Sequence, residues 1–125
     1  MKIPKFEAQT EWVKPTEFPD LRKVDEIAID LETKDPDLLK KGSGSVIGNG
    51  EVIGIAVATK FYKGYFPIAH EGGGNMDRSR VLSWLKDILE APSTKIFHNA
   101  IYDVCWLRAM GFKINGDIAL SLIHI

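Results

Sequence analysis

The chain has 125 residues, room for one domain with a real core. Its 16 basic and 17 acidic residues give a formal net charge of -1, so no global basic field marks it for nucleic acid, although a local site remains open to it. The single cysteine, Cys105, excludes an internal disulfide and a cysteine-ligated zinc site; the apolar stretches fall short of a membrane span, and Met1-Lys2-Ile3-Pro4-Lys5 leads into no signal core, so a cytoplasmic chain off the membrane is expected.

From Met1 to about Arg22, Pro4, Pro15 and Pro19 lie among Trp12, Val13 and Phe18, which predicts an extended arm docked by its aromatics. Val24 to Leu31 reads as a central strand, with Ile27, Ala28 and Ile29 covered on both faces. Asp35-Pro36-Asp37 breaks it, and Lys40-Lys41-Gly42-Ser43-Gly44-Ser45 predicts a polar, flexible connection. Glu51 to Thr59 and Phe61 to Ile68 then form an antiparallel pair beside the first strand.

Gly72-Gly73-Gly74-Asn75 reads as a turn, lacking the Gly-Lys-Ser/Thr ending of a phosphate loop. Asp77 caps a helix in which Val81, Leu82, Leu85, Ile88 and Leu89 recur at helical spacing, closed by Pro92. Thr94 to Phe97 suits a parallel strand, Ala100 to Met110 a helix ended by Gly111, and Lys113 to Asn115 the start of another strand. This order predicts an α/β fold with a mixed sheet, an antiparallel hairpin on one side of the first strand and a parallel strand on the other.

The chemistry begins at Asp30-Leu31-Glu32. A strand repeats every two residues, so both carboxylates leave the same face and can share a cation. Far downstream, His98-Asn99-Ala100-Ile101-Tyr102-Asp103 places a third carboxylate in the first turn of the helix after the neighbouring strand, where ligand sites of open α/β sheets gather. Carboxylates without cysteine select an oxygen-liking ion, Mg²⁺ or Mn²⁺. Two such ions roughly 4 Å apart serve phosphate chemistry and need no protein nucleophile. Asp30 is the natural bridging ligand, with Glu32 on one ion and Asp103 closing the other side.

These residues resemble the 3′-5′ exonuclease domain of family A DNA polymerases, within the DEDD exonucleases of ribonuclease H-like fold. Asp30-Leu31-Glu32-Thr33 resembles the first exonuclease motif and Asn99-Ala100-Ile101-Tyr102-Asp103 the second. Val52-Ile53-Gly54-Ile55-Ala56 and Tyr65-Phe66-Pro67-Ile68-Ala69-His70 resemble the hairpin between them. Glu32-Thr33-Lys34-Asp35-Pro36 and Gly73-Gly74-Asn75 are similar to phage-type members. The resemblance implies that Asp30, Glu32 and Asp103 bind two Mg²⁺ ions, that Thr33 and Asn99 hold the 3′-terminal nucleotide, and that the partners are a single-stranded or frayed DNA 3′ end and a polymerase domain in the same parent chain, in the host cytoplasm if phage-encoded.

The family's third motif, with a fourth metal-binding Asp and usually a Tyr, belongs beyond Gly116, and Leu120-Ser121 stands where the family usually has Asp-Thr. Leu120-Ser121-Leu122-Ile123-His124-Ile125 is also what CTG TCT CTT ATA CAC ATC encodes, which resembles a transposon mosaic end used in sequencing adaptors. The expected organisation is an arm over residues 1–22, a partial exonuclease domain over 23–119, incomplete at its C-terminus, and a non-native tail over 120–125 in which His124 carries no function.

Plainer roles compete for several residues. Asn99 suits a helix cap as well as a nucleotide contact, Tyr102 and Trp106 suit core aromatics, and His70 and His98 suit structural or pocket-edge positions. Cys105 suits a small core residue, and Lys34, Lys40 and Lys41 a solvated loop rather than phosphate contacts. Two other functions stay open: a non-catalytic nucleic-acid-binding or structural module, and a free-standing DEDD nuclease acting on RNA.

Overall fold

A computed structural model of the chain describes Pro15 and residues 17–120. Trp12 and Val13 of the expected arm, and residues 121–125 of the expected tail, lie outside the described residues. The elements run β1 (Glu26–Lys34), α1 (Leu38–Lys41), α2 (Gly44–Ile47), β2 (Glu51–Ala58), β3 (Lys63–Pro67), α3 (Arg78–Glu90), β4 (Thr94–Phe97), α4 (Ala100–Ala109) and β5 (Ile118–Leu120). The strands form one sheet in the order β3-β2-β1-β4-β5. β1 is antiparallel to β2 and parallel to β4, β2–β3 is antiparallel, and β4–β5 is parallel. This mixed α/β sheet is compatible with a ribonuclease H-like fold.

β1 alternates, contrary to the expectation that it is covered on both faces. Ile27, Ile29 and Leu31 are buried, while Ala28, Asp30 and Glu32 face the more open side. The buried row joins Ile55, Val57, Phe66 and Phe97 from the other strands and Val81, Leu85, Ile88 and Leu89 from α3 in one core. That core drives the fold, because each aliphatic side chain taken out of water contributes about 1.5–3 kcal/mol.

Asp77 caps α3, its carboxylate accepting from the backbone N–H groups of Ser79 and Arg80 at 3.0 and 3.3 Å. Within the described part of the lead-in, Phe18 stacks on Phe66 with centroids 6.0 Å apart, and the Trp84 indole N–H donates to the Pro19 carbonyl at 2.7 Å. The docking by aromatics holds for those residues.

Two further expectations need correction. The connection after β1 contains two short helices, because Asp35 and Asp37 tie it down. Both Asp35 oxygens accept from the Gly44 N–H, at 3.0 and 3.1 Å, and the Asn49 amide donates to Asp37 at 2.7 Å. The last strand begins at Ile118 rather than Lys113. Asn115 is spent on the end of α3, its side chain donating to the Glu90 carbonyl and its backbone N–H to the Leu89 carbonyl, each at 2.8 Å.

Lys95 is a buried cation that periodicity did not flag. It is fully buried on β4, and burial lowers its pKa. Its ammonium donates to the carbonyls of Ala91, of Ser93 at 2.9 Å and of Asn115 at 2.8 Å. The α3–β4 turn is thereby fastened to the approach to β5.

Candidate metal centre

Asp30 is the middle residue of β1, not its end, yet it stands where the parallel half of the sheet stops. Pairing of β1 with β4 covers Glu26 to Ala28 only, whereas pairing with β2 continues to Lys34. The chain that follows β4 is α4, which sets its Tyr102 hydroxyl against that of Thr33 and its Asp103 within reach of the Asp30 charge. Asp103, in the first turn of α4, is 3% exposed and has an oxygen, Oδ2, with no hydrogen-bond partner.

The two carboxylates lie close enough to influence each other. Burial raises Asp30 to about 6, with the Glu32 charge adding to the effect. Burial raises Asp103 to about 7, and the Asp30 charge pushes in the same direction. Two desolvated like charges, one with an orphaned oxygen, are the environment a hard cation relieves. That donor set fits Mg²⁺ or Mn²⁺.

Glu32 shares the face of Asp30, because the strand register is regular up to it. The pairing slips only between Glu32 and Thr33. The slip leaves Ile53 of β2 without a partner on β1, and its carbonyl instead accepts from the Ile68 and Ala69 N–H groups at 2.9 and 3.1 Å. Glu32 itself is engaged: the Tyr65 hydroxyl donates to its Oε1. Among the described residues, no three His, Cys, Asp or Glu side chains are gathered closely enough to hold an ion. The sequence-predicted trio is thus a close Asp30–Asp103 pair with Glu32 beside Asp30 and bound to Tyr65.

The proposed nucleotide contacts differ from one another. Thr33 is half-buried, its hydroxyl 2.8 Å from that of Tyr102. Asn99 is exposed and stands at the N-cap of α4 without a side-chain cap bond, so the capping role is not realised. Tyr102 is more than a core aromatic, since its hydroxyl also donates to Asp35 at 2.8 Å, joining the two motifs. Trp106 is buried as expected, while Cys105 is half-buried and free. Lys34 lies on β1 and pairs with Glu71 rather than belonging to a loop.

Sequence reasoning gave Tyr65 no role. Its signal was available in the strand period: Tyr65 pairs with Ala56, which pairs with Asp30, so the phenol stands in the row beside the carboxylates. His70 is half-buried, with Nε2 2.5 Å from the Tyr65 hydroxyl.

No family model matches the chain. A protein of Pseudomonas phage M6 named DNA-directed DNA polymerase is 41% identical over 114 residues, a match covering 83% of this chain. The chain is therefore similar to one stretch of that polymerase, and it spans 16% of that relative's length. No helix among the described residues is long and apolar enough to cross a membrane.

Proposed function

We propose that the chain is the core of a 3′-5′ exonuclease domain of a family A DNA polymerase, removing nucleotides from the 3′ end of DNA. The observation that carries this reading is the approach of Asp103 to Asp30, a buried and a half-buried carboxylate, one from each motif segment, with an unpartnered oxygen on Asp103. The likeness to a phage DNA polymerase supports DNA as the substrate over RNA.

Asp30, Asp103 and the free oxygen of Glu32 would hold Mg²⁺ or Mn²⁺. The ions supply, when bound, charge stabilisation at the scissile phosphate and a water of lowered pKa. The rigid strand fixes Asp30, and α4 fixes Asp103 through its packing, so neither carboxylate has to be ordered during the reaction. Thr33 and Asn99, one in each motif, would contact the terminal nucleotide. That nucleotide has to be unpaired to reach the carboxylates, which makes single-stranded or frayed ends the substrate.

A second reading applies to the chain taken alone. Among the described residues no three candidate ligands are gathered, which favours an isolated chain that keeps the fold and does not cut. Both readings are tested together. The polymerase that contains this chain, given Mg²⁺ and a labelled single strand, should lose its 3′-5′ hydrolysis on Asp30→Ala, and retained hydrolysis would sink the first reading. Rapid Mg²⁺-dependent digestion by the purified 125-residue chain would sink the second.

A further inference from the structure

Glu32 reaches its place through a pair of residues with no catalytic assignment. Tyr65 on β3 crosses the intervening strand β2 to meet Glu32 on β1. Its path runs over Gly54, which is the register partner of Glu32 on β2. A Cβ built at Gly54 would overlap the Tyr65 hydroxyl and ring carbon. Gly54 is therefore a slot for the phenol, and its backbone needs no positive φ to be one.

Beyond the phenol stands His70, with Nε2 2.5 Å from the Tyr65 hydroxyl and 3.7 Å from Glu32 Oε1. A phenol has one proton to give. A carboxylate can only accept, so the Tyr65 proton goes to Glu32, and the phenol oxygen must accept from His70 Nε2–H. The imidazole tautomer follows from this chain of bonds. His70 is fixed in turn by Asn75, whose side-chain oxygen accepts from the His70 N–H at 2.8 Å and whose amide donates to the His70 carbonyl at 2.9 Å.

We propose that Tyr65, seated over Gly54 and backed by His70, is a positioning residue that holds Glu32 by one oxygen and leaves the other free for a divalent cation shared with Asp30. The assignment rests on the metal reading above. Its physical basis is general: outer partners that orient a ligating carboxylate set its rotamer, and their loss typically weakens metal affinity. Gly54 and Asn75 enter as supports of the same arrangement, one by lacking a side chain and the other by pinning the histidine backbone.

The test uses Mn²⁺ alone, titrated into the 125-residue chain and followed by electron paramagnetic resonance, with nitrogen-detected NMR of His70 as an independent readout. Tyr65→Phe keeps the ring and should weaken Mn²⁺ binding about tenfold. Gly54→Ala removes no polar group and should act in the same direction by displacing the ring, with circular dichroism confirming the fold. In the wild type His70 should show a protected Nε2–H, which Tyr65→Phe loses. Unchanged or tighter Mn²⁺ binding in Tyr65→Phe overturns the positioning role, as does a His70 protonated at Nδ1 alone. If the wild type shows no saturable Mn²⁺ binding while the protected Nε2–H is present, the free oxygen of Glu32 serves no cation in this chain and the positioning role is overturned, whereas the metal reading of the parent falls only if its 3′-5′ hydrolysis survives Asp30→Ala.

Discussion

The Tyr102 hydroxyl lies 2.8 Å from that of Thr33 and donates at 2.8 Å to Asp35, so one phenol of α4 closes both the end of β1 and the loop that follows it. Asp35 in turn accepts from the Gly44 N–H with both oxygens. Removing the hydroxyl leaves two part-buried polar groups without their partner. Tyr102→Phe is expected to destabilise the chain by about 1–2 kcal/mol, as each lost bond of this kind costs on the order of 1 kcal/mol. Urea unfolding measures it, and a double-mutant cycle with Asp35→Ala should show positive coupling; strict additivity would mean that the bond to Asp35 contributes nothing.

Stability without divalent cations should fall as pH rises. Asp30 and Asp103 are both held above the ordinary value of 3.8, at about 6 and about 7, so the folded chain binds their protons more tightly than the unfolded chain does. Between about pH 4 and pH 7 the folded state carries the excess protons, and its stability declines across that window by a few kcal/mol at about 1.4 kcal/mol per unit of pKa difference. Urea midpoints measured in EDTA at a series of pH values check the sign. An increase in stability from pH 5 to pH 7 would show that the two carboxylates are not desolvated together.

Cations should reverse that decline. If Mn²⁺ binds the Asp30–Asp103 pair, the melting temperature at neutral pH should rise with its concentration, corresponding to about 2.7 kcal/mol at a hundredfold excess over Kd. Asp30→Asn should remove the Mn²⁺ response while making the metal-free chain more stable, because one of two repelling, partly desolvated charges is gone. Calorimetry with and without EDTA separates the two effects, and an Asp30→Asn chain that still responds fully to Mn²⁺ would exclude this pair as the site.

Lys95 gives a prediction independent of the metal site. Its ammonium serves the carbonyls of Ala91, Ser93 and Asn115 from a fully buried position. Lys95→Met preserves the apolar stem and strands the acceptors, so a loss of about 2–4 kcal/mol is expected. Hydrogen exchange should show the loss first at β5, whose approach the ammonium secures. A neutral effect would mean that water replaces the ammonium at these carbonyls.

The start of α3 supplies a smaller and cleaner test. Asp77→Ala removes the side-chain acceptor for the Ser79 and Arg80 N–H groups and should cost about 1 kcal/mol, within the usual 0.5–2 kcal/mol of a lost N-cap. Thermal melting measures it, with Asp77→Asn expected to restore most of the loss.

Local chemistry made much of this molecule readable before any coordinates. The α3 cap and stripe, the β4 strand, the helix after it and the antiparallel hairpin all follow from periods and caps that act over a few residues. The same period put Asp30 and Glu32 on one face, and the register holds through Glu32. Where the reading failed, the deciding partner was remote. The loop after β1 is held by Asp35 and Asp37, and the start of β5 is delayed because Asn115 is taken by the carbonyl at the end of α3.

By itself, then, the sequence determined which carboxylates are available and which faces they leave from, because a strand period and a helix turn are short-range properties of the backbone. Only the tertiary structure decided that β4 stops short of Asp30, that α4 brings Asp103 within reach of the Asp30 charge, and that Tyr65 reaches Glu32 across Gly54. Those relations depend on strand lengths, register and the absence of one Cβ, which are fixed by packing between segments far apart in the chain.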